Sequence, residues 1–139
     1  MTILNIAVAG SSGRMGRALL AAVMKDSGLH LQAALEMSGS SFLGKATNEL
    51  TGGLGSAVIT DNFSTALLGC DVLIDFTQPE GTIKHLSVCR AEGIKMVIGT
   101  TGFSAEQKEV LKAASEDIAL VVAPNMSVGV NVTFKLLDI

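Results

Sequence analysis

The chain has 139 residues and a formal net charge of -3, enough length for one domain with a substantial core. Aromatic residues make up 4% of it, with no Trp or Tyr, so it lacks the basic surface and stacking side chains of nucleic-acid-binding modules. No stretch approaches the roughly 18 apolar residues of a membrane span, and no basic segment with an apolar signal core is seen; we expect a cytoplasmic protein that binds neither nucleic acid nor membrane.

The chain opens with an alternation of apolar strand-like runs and helical periodicity. Strands are predicted over residues 3–9 and 29–35, and a helix over residues 14–27 between them. Gly28 is predicted to end this helix as its C-cap. The buried face of the helix is predicted from residues four apart, Met15, Leu19 and Val23.

The middle of the chain begins with a polar, Gly- and Ser-rich segment, residues 36–55, predicted to be a long surface loop beside a ligand site. A short third strand is predicted over residues 57–60 and a short helix over 62–68. Residues 71–76, DVLIDF, are typical of a buried strand.

The next helix is predicted from its terminal signals. Thr77 is placed as its cap with Glu80 three residues later, and Pro79 lies in the first turn, where its missing N–H costs nothing. The helix is expected to run to about Glu92, where Gly93 stops it.

Three further elements complete the pattern. A strand is predicted over residues 95–98, and Ser104 with Gln107 forms a capping box for a helix over residues 105–116. The last strand is predicted over residues 118–122.

Strands that alternate with helices, and whose hydrophobicity is continuous, indicate a parallel sheet covered on both faces. We therefore predict a single α/β domain with a doubly wound sheet of the Rossmann type. In such sheets, ligands bind at the carboxyl ends of the strands.

The most informative motif is GSSGRMG at residues 10–16, directly after the first predicted strand. Gly10 allows a tight turn, Gly13 allows close approach of a ligand, and Gly16 allows the helix to pack on the strand. This arrangement brings backbone amides and a helix N-terminus to a diphosphate, which indicates dinucleotide binding. The alternative is a glycine-rich turn without a ligand, since the spacing differs from the commoner G-x-G-x-x-G.

Glu36 closes the second predicted strand, 20 positions after Gly16, where an acidic residue can accept hydrogen bonds from the adenosine ribose. Met37 follows it and carries no charge, which favours NAD(H) over NADP(H). Arg14 and Lys45 are the cations predicted to be available to a 2′-phosphate.

Other candidate residues lie just past predicted strands, at 76–77, 99–101 and 123–126. The small and hydroxyl-bearing residues at 99–101 could line the nicotinamide side of a pocket, or form a plain strand-to-helix loop. Asp75, at a buried strand end, is interpreted as structural rather than catalytic.

Groups for catalysis or metal binding are sparse. His30 and His85 have no carboxylate partner nearby in sequence, and we predict no catalytic role for either. Cys70 and Cys89 follow neither a metal-ligand nor a disulfide spacing, and are predicted to be packed, reduced thiols. We predict no metal site, and a chain that holds a cofactor without a complete set of catalytic groups.

Four segments resemble the 4-hydroxy-tetrahydrodipicolinate reductase family, also called dihydrodipicolinate reductase, of the diaminopimelate and lysine pathway. They are VAGSSGRMG at residues 8–16, DFTQPEGT at 75–82, VIGTTGF at 97–103 and APNMSVGVN at 123–131. Family members are about twice as long, with a second domain that binds substrate, supplies a proton-donating His and a Lys, and forms a tetramer.

The resemblance implies a binding role for NAD(H), or alternatively NADP(H). The glycine turn would hold the pyrophosphate, Glu36 the ribose, and the loops at 99–101 and 123–126 the nicotinamide. In the family an Arg commonly follows the acidic residue, and Met37 replaces it here. The predicted cofactor-binding residues are Gly10, Ser11, Ser12, Gly13, Arg14, Met15, Glu36, Met37, Phe76, Thr77, Gly99, Thr100, Thr101, Ala123, Pro124, Asn125 and Met126.

We expect residues 1–126 to form the dinucleotide-binding domain and residues 127–139 to begin a helix that leads into a missing second domain. The helix would carry an apolar face of Val128, Val132, Phe134, Leu136 and Leu137. The chain would thus be the cofactor-binding part of a homotetrameric reductase of a small-molecule substrate, and would lack catalysis alone. One alternative is a free-standing dinucleotide-sensing module that acts through a protein partner; another is a different oxidoreductase of this fold, such as an aspartate dehydrogenase-like enzyme.

Overall fold

The computed structural model of the protein describes residues 2–53 and 55–138. Over these residues the chain forms one six-stranded sheet of order β3-β2-β1-β4-β5-β6, in which each neighbouring pair of strands is parallel. The strands are β1 Leu4–Ala9, β2 Leu29–Leu35, β3 Ile59–Thr60, β4 Val72–Asp75, β5 Lys95–Ile98 and β6 Leu120–Val122. The helices are α1 Arg14–Lys25, α2 Asn48–Thr51, α3 Phe63–Ala66, α4 Pro79–Glu92, α5 Ala105–Ala114 and α6 Val128–Leu137.

The predicted doubly wound sheet is confirmed by its two hydrophobic cores. Successive residues of β1 point to opposite faces, so Ile6 and Val8 pack with Leu20 of α1. Ala7 and Ala9 instead belong to the core that α4 and α5 cover. Strand order reverses between β1 and β4, the place where such sheets open a crevice for ligands.

Helix α1 differs from prediction at its end and on its buried face. It stops at Lys25, and its C-cap is Asp26 in an extended conformation, so Gly28 is not the cap. The Asp26 carboxylate instead accepts a hydrogen bond from Gly28 N–H at 2.8 Å, which turns the chain towards β2. The face that packs on the sheet is Gly16, Leu20 and Val23.

Met15, predicted for that buried face, is 48% exposed. A spacing of four drifts around a helix of 3.6 residues per turn, so the next residue, Gly16, lies on the buried face instead.

The terminal signals of α4 and α5 are confirmed except at Thr77. Pro79 opens α4 and Gly93 ends it in the left-handed conformation, φ 71°. The N-cap of α4 is Gln78, without a side-chain cap bond. The Thr77 hydroxyl donates to Asp75 at 2.6 Å instead, because β4 brings that carboxylate within reach.

The predicted capping box of α5 is present, with Ser104 and Gln107 in both reciprocal bonds. Helix α5 ends at Ala114 and β6 begins at Leu120, so both are shorter than predicted.

The segment predicted as a surface loop, residues 36–55, is packed for part of its length. It contains α2, whose Leu50 is buried in the core between the sheet and α1. Phe42 and Leu43 are partly buried against the same core. Ala46 forms an isolated antiparallel bridge with Val58. Leu54 lies outside the described residues.

Helix α6 carries the predicted apolar residues but buries none of its own residues in the structure. Its N-cap Ser127 accepts a hydrogen bond from Val130 N–H, and Phe134 is 58% exposed. Ile139 lies outside the described residues. Over the described part of the chain, the helices are too short or too polar to cross a bilayer.

Candidate dinucleotide-binding site

A cleft of about 650 Å³ opens at the carboxyl ends of β1, β2 and β4. It brings together residues that are far apart in sequence, from the glycine turn, the end of β2, the start of α3 and the first turns of α4. Among the predicted residues that line it are Gly10, Ser12, Gly13, Glu36, Met37, Phe76 and Thr77.

The glycine turn is folded too tightly for side chains at two of its positions. Gly10 has φ 74°, and a Cβ there would lie 2.9 Å from the carbonyl oxygen of Phe76. A Cβ on Gly16 would lie 2.0 Å from the carbonyl oxygen of Gly10. The predicted role of Gly10 in the turn is therefore confirmed. Gly16 was predicted to let the helix pack on the strand, and the close contact that it permits is with the glycine turn.

The N-terminus of α1 is left open towards the cleft. Its N-cap, Gly13, provides no side-chain bond, and the first amides of a helix have no acceptor within it. Gly10 and Ser11 differ, because both donate their N–H groups to Leu35 O. The buried hydroxyl of Ser11 donates to backbone carbonyls of Val8 and Leu35. Ser11 thus holds the turn on the strands, while the amides that begin α1 are available to an anion.

Glu36 is held at the end of β2 with its carboxylate beside the glycine turn. Its Oε2 accepts from the Ser12 hydroxyl, and from the Ser40 hydroxyl at 3.4 Å. Its N–H donates to Thr60 O, which fixes the backbone. Met37, the next residue, is 75% exposed. It is uncharged, so it provides no cation beside the carboxylate.

A cation missed by sequence reasoning lies beside the glycine turn. Arg17 Nε donates to Ser12 O at 2.8 Å, and its guanidinium lies 5.4 Å from the Phe42 ring centroid. Lys45, which was predicted, lies 5.3 Å from the same ring. Arg17 is one helical turn beyond Arg14, and that spacing was the available signal.

A second groove, of about 450 Å³, continues from the glycine turn to the loop after β5. A Cβ on Gly99 would lie 2.1 Å from the Phe76 ring, so the loops after β4 and β5 are in close contact. The predicted residues that line this groove are Gly13, Arg14, Met15, Phe76, Thr77, Gly99, Thr100 and Thr101.

Residues 123–126 are not among those that line either groove in the described part of the chain. Ala123 N–H donates to Ile98 O beside β5, and Asn125 Oδ1 accepts from Ser127 N–H. Pro124 and Met126 are exposed. Their predicted contact with nicotinamide stays a prediction.

The sequence analysis found no carboxylate partner for His85 nearby in sequence, but the fold brings one to His85. Its Nδ1 lies 2.8 Å from Asp75 Oδ2, and His85 also lines the larger cleft. The pair joins the end of β4 to the second turn of α4, ten residues later, so inspection of neighbouring residues missed it. Asp75 is fully buried.

Both cysteines are free and buried. Burial, with a smaller contribution from Asp71, raises the pKa of Cys70 to about 11. Burial, followed by the charges of Asp75 and Cys70, raises the pKa of Cys89 to about 12. Over the described residues, the structure has no group of three or more His, Cys, Asp or Glu side chains suited to a metal ion.

The reversal of strand order, the open helix N-terminus and the carboxylate at the end of β2 define a dinucleotide-binding domain of the Rossmann class. The profile of the family described as "Dihydrodipicolinate reductase, N-terminus" matches residues 4–126, and the chain belongs to this family.

Relatives called 4-hydroxy-tetrahydrodipicolinate reductase support this membership. The protein from Nitrosospira multiformis is 64% identical over 138 residues, which cover 99% of this chain and 51% of the relative. The protein from Nitrosomonas eutropha is 55% identical and is covered over 52% of its length. The chain therefore spans about half the length of these curated relatives.

Solved structures agree with the fold. Dipicolinate-bound dihydrodipicolinate reductase from Paenisporosarcina sp. TG-14 superposes with a TM-score of 0.73 at 27% identity, over 92% of this chain and 49% of that one. Apo scyllo-inositol dehydrogenase from Lactobacillus casei has a TM-score of 0.72 at 13% identity, covering 99% of this chain and 41% of that one. At that identity the likeness concerns the fold alone.

Proposed function

We propose that this chain is the cofactor-binding part of an NAD(P)H-dependent reductase that converts 4-hydroxy-tetrahydrodipicolinate to tetrahydrodipicolinate in lysine and diaminopimelate biosynthesis. Its named relatives support the reaction. The observation that carries the binding role is the open N-terminus of α1 beside the carboxylate of Glu36 in one cleft. The proposal places the protein in the cytoplasm.

The residues present fit a reduced nicotinamide dinucleotide. The amides that begin α1 would face its diphosphate, and Glu36 would accept hydrogen bonds from the adenosine ribose. The loops at 76–77 and 99–101 would border the nicotinamide half. The bound cofactor would supply the hydride, and this chain's share is to bind and orient it.

The length of the relatives, of which the chain covers about half, supports a proposed division into two domains. Residues 1–126 would form the dinucleotide-binding domain, and residues 127–139 would begin the connection to a second domain that binds substrate and assembles the homotetramer. The groups that move protons would belong to that second domain. The predicted residues 123–126 would close on the nicotinamide in the assembled enzyme.

Calorimetric titration of the chain with NADH and NADPH tests the proposal. We expect both to bind, with NADH bound more tightly because Met37 offers no charge to a 2′-phosphate. Glu36→Gln should weaken NADH binding about tenfold or more, the scale of a hydrogen bond to a charged acceptor.

Glu109→Gln, on the exposed surface of α5, is the matched control and should leave NADH affinity unchanged. Failure of the wild-type chain to bind either dinucleotide would contradict the proposed function.

A free-standing sensing module is the second candidate. It is favoured by the exposed apolar side chains of α6, among them Val128 at 78% and Leu137 at 77% exposure. Under this alternative the chain would bind dinucleotide as above, but a protein partner would cover α6.

A further inference from the structure

The buried carboxylate of Asp75 lies between the two loops that border the proposed site. Its Oδ1 accepts from Thr77 N–H at 3.1 Å and from the Thr77 hydroxyl at 2.6 Å. The Thr100 hydroxyl, from the loop after β5, approaches the same oxygen at 3.4 Å. One oxygen of Asp75 therefore ties the loop after β4 to the loop after β5.

Further hydroxyl contacts close this network. Thr82 of α4 donates to Thr100 Oγ1 at 2.9 Å, and Thr100 Oγ1 also accepts from Thr77 N–H at 3.0 Å. Thr82 and Thr100 are buried. Each hydroxyl has one hydrogen to donate, and the chain of donors ends on Asp75, which suits an acceptor-only carboxylate.

The second oxygen of Asp75 serves a different residue. Oδ2 lies 2.8 Å from His85 Nδ1, and a carboxylate oxygen can only accept, so Nδ1 carries the hydrogen. The imidazole also makes an edge contact with the Phe63 ring, at 5.0 Å between ring centroids. In the neutral ring, Nε2 is then an unprotonated acceptor, and His85 lines the cleft that also contains Glu36.

We propose that Asp75 is a positioning residue of the dinucleotide site. Through one oxygen it fixes His85 in the Nδ1–H tautomer, so that Nε2 accepts a hydrogen bond from an amino or hydroxyl group of the adenosine half. Through the other oxygen it fixes the relative position of the two loops that border the nicotinamide half. The assignment rests on the proposed function, because it takes a dinucleotide as the ligand.

An Asp75→Asn variant makes the tautomer measurable. The Thr77 and Thr100 donors require an acceptor at the position of Oδ1, so the amide oxygen stays there and the amide NH₂ faces His85. Two N–H groups cannot face each other in a hydrogen bond, so Nδ1 must lose its hydrogen. The imidazole should switch to the Nε2–H tautomer.

Nitrogen-15 NMR of the imidazoles at alkaline pH measures the tautomer of His85 in the chain without ligand. The chain has two histidines, so His30→Gln assigns the His85 signals. We expect Nδ1–H in the wild type, Nε2–H in Asp75→Asn, and no change in Asp71→Asn. The control makes the same substitution at the opposite end of β4, where Asp71 Oδ2 accepts from Asn5 N–H.

Titration with NADH supplies the second readout. Asp75→Asn and His85→Gln should each weaken binding about tenfold, and Asp71→Asn should bind like the wild type. His85→Gln leaves Asp75 and the threonines in place, so it tests the role of Nε2 even if Asp75→Asn fails to fold.

The possible failures are distinguishable. A wild-type His85 in the Nε2–H form, or no change of tautomer in a folded Asp75→Asn, would overturn the assignment. NADH binding unaffected by Asp75→Asn and by His85→Gln would overturn the positioning role alone. A wild-type chain that binds no NADH would contradict both the proposed function and the positioning role.

Discussion

At the scale of single residues, the site is defined by which polar groups are already satisfied and which are free. Ser11 donates its N–H and hydroxyl hydrogen bonds to strand carbonyls, whereas the Glu36 carboxylate accepts hydrogen bonds from two hydroxyls at the cleft. The sequence analysis placed Ser11 with the diphosphate and Glu36 with the ribose, but it could not show that Ser11 is bonded to the strands. Hydrogen bonds between the turn and the end of β2 depend on strand pairing, which a linear pattern does not contain.

The choice between cofactors is predicted to depend on position 37. Met37→Arg should tighten NADPH binding about tenfold, because a guanidinium can pair with the 2′-phosphate, and should change NADH binding little. The comparison of the two affinities by calorimetry checks this. Met37→Gln, which adds no charge, is the control, and equal gains for NADH and NADPH in Met37→Arg would contradict the placement of the ribose.

The raised pKa values of Cys70 and Cys89, about 11 and about 12, predict inert thiols in the folded protein. At pH 8 both remain protonated, and the thiolate is the reactive form. Titration with a thiol reagent should give slow reaction in native buffer and rapid reaction of both thiols in denaturant. Fast labelling of the folded chain at pH 8 would show that the thiols are not buried as described.

At the scale of elements, prediction succeeded where a local signal decides the structure. The capping box of α5 and the Pro79 and Gly93 signals of α4 are local. Helix α5 begins where expected, and α4 begins one residue later than a Thr77 cap would place it. Gly28 failed as a cap because Asp26 already turns the chain. Leu50 was placed in a surface loop because its burial depends on α1, which lies far away in sequence.

The contact between α1 and the glycine turn gives an element-scale prediction. Gly16→Ala should destabilise the fold by about 1–3 kcal/mol, because its Cβ would lie 2.0 Å from a backbone oxygen that cannot rotate away. Thermal unfolding measures the change.

Gly129→Ala in α6 is the matched control, since its nearest neighbour to a new Cβ is Ser127 Oγ at 3.9 Å. This substitution should be neutral or stabilise by up to about 1 kcal/mol, the difference in helix propensity. Equal losses at positions 16 and 129 would contradict the packing described for α1.

At the scale of the whole molecule, continuous apolar strands alternating with helices were sufficient to predict the sheet and its two covered faces. The Asp75–His85 pair was beyond that prediction, because it joins a strand end to the inward face of a helix whose rotation the sequence does not specify. Family membership agrees with the resemblance drawn from four short segments.

Ligand binding should stabilise the molecule as a unit. A dinucleotide at about 100 times its dissociation constant adds about 2.7 kcal/mol to the free energy of unfolding. For a domain of this size that is a rise in Tm of roughly 10 °C. Differential scanning fluorimetry with NADH measures it, adenine alone serves as the weakly bound comparison, and an unchanged Tm at saturating NADH would count against binding.

The sheet also acts as a partition. Val8 and Leu86 lie in separate apolar layers with β-strand backbone between them. We therefore expect a substitution in one layer to leave the packing energy of the other layer unchanged. Val8→Ala and Leu86→Ala should therefore lower the free energy of unfolding by amounts that sum in the double variant to within about 0.5 kcal/mol. Substitutions can then accumulate in either apolar layer independently of the other, while the carboxyl ends of the strands keep their arrangement.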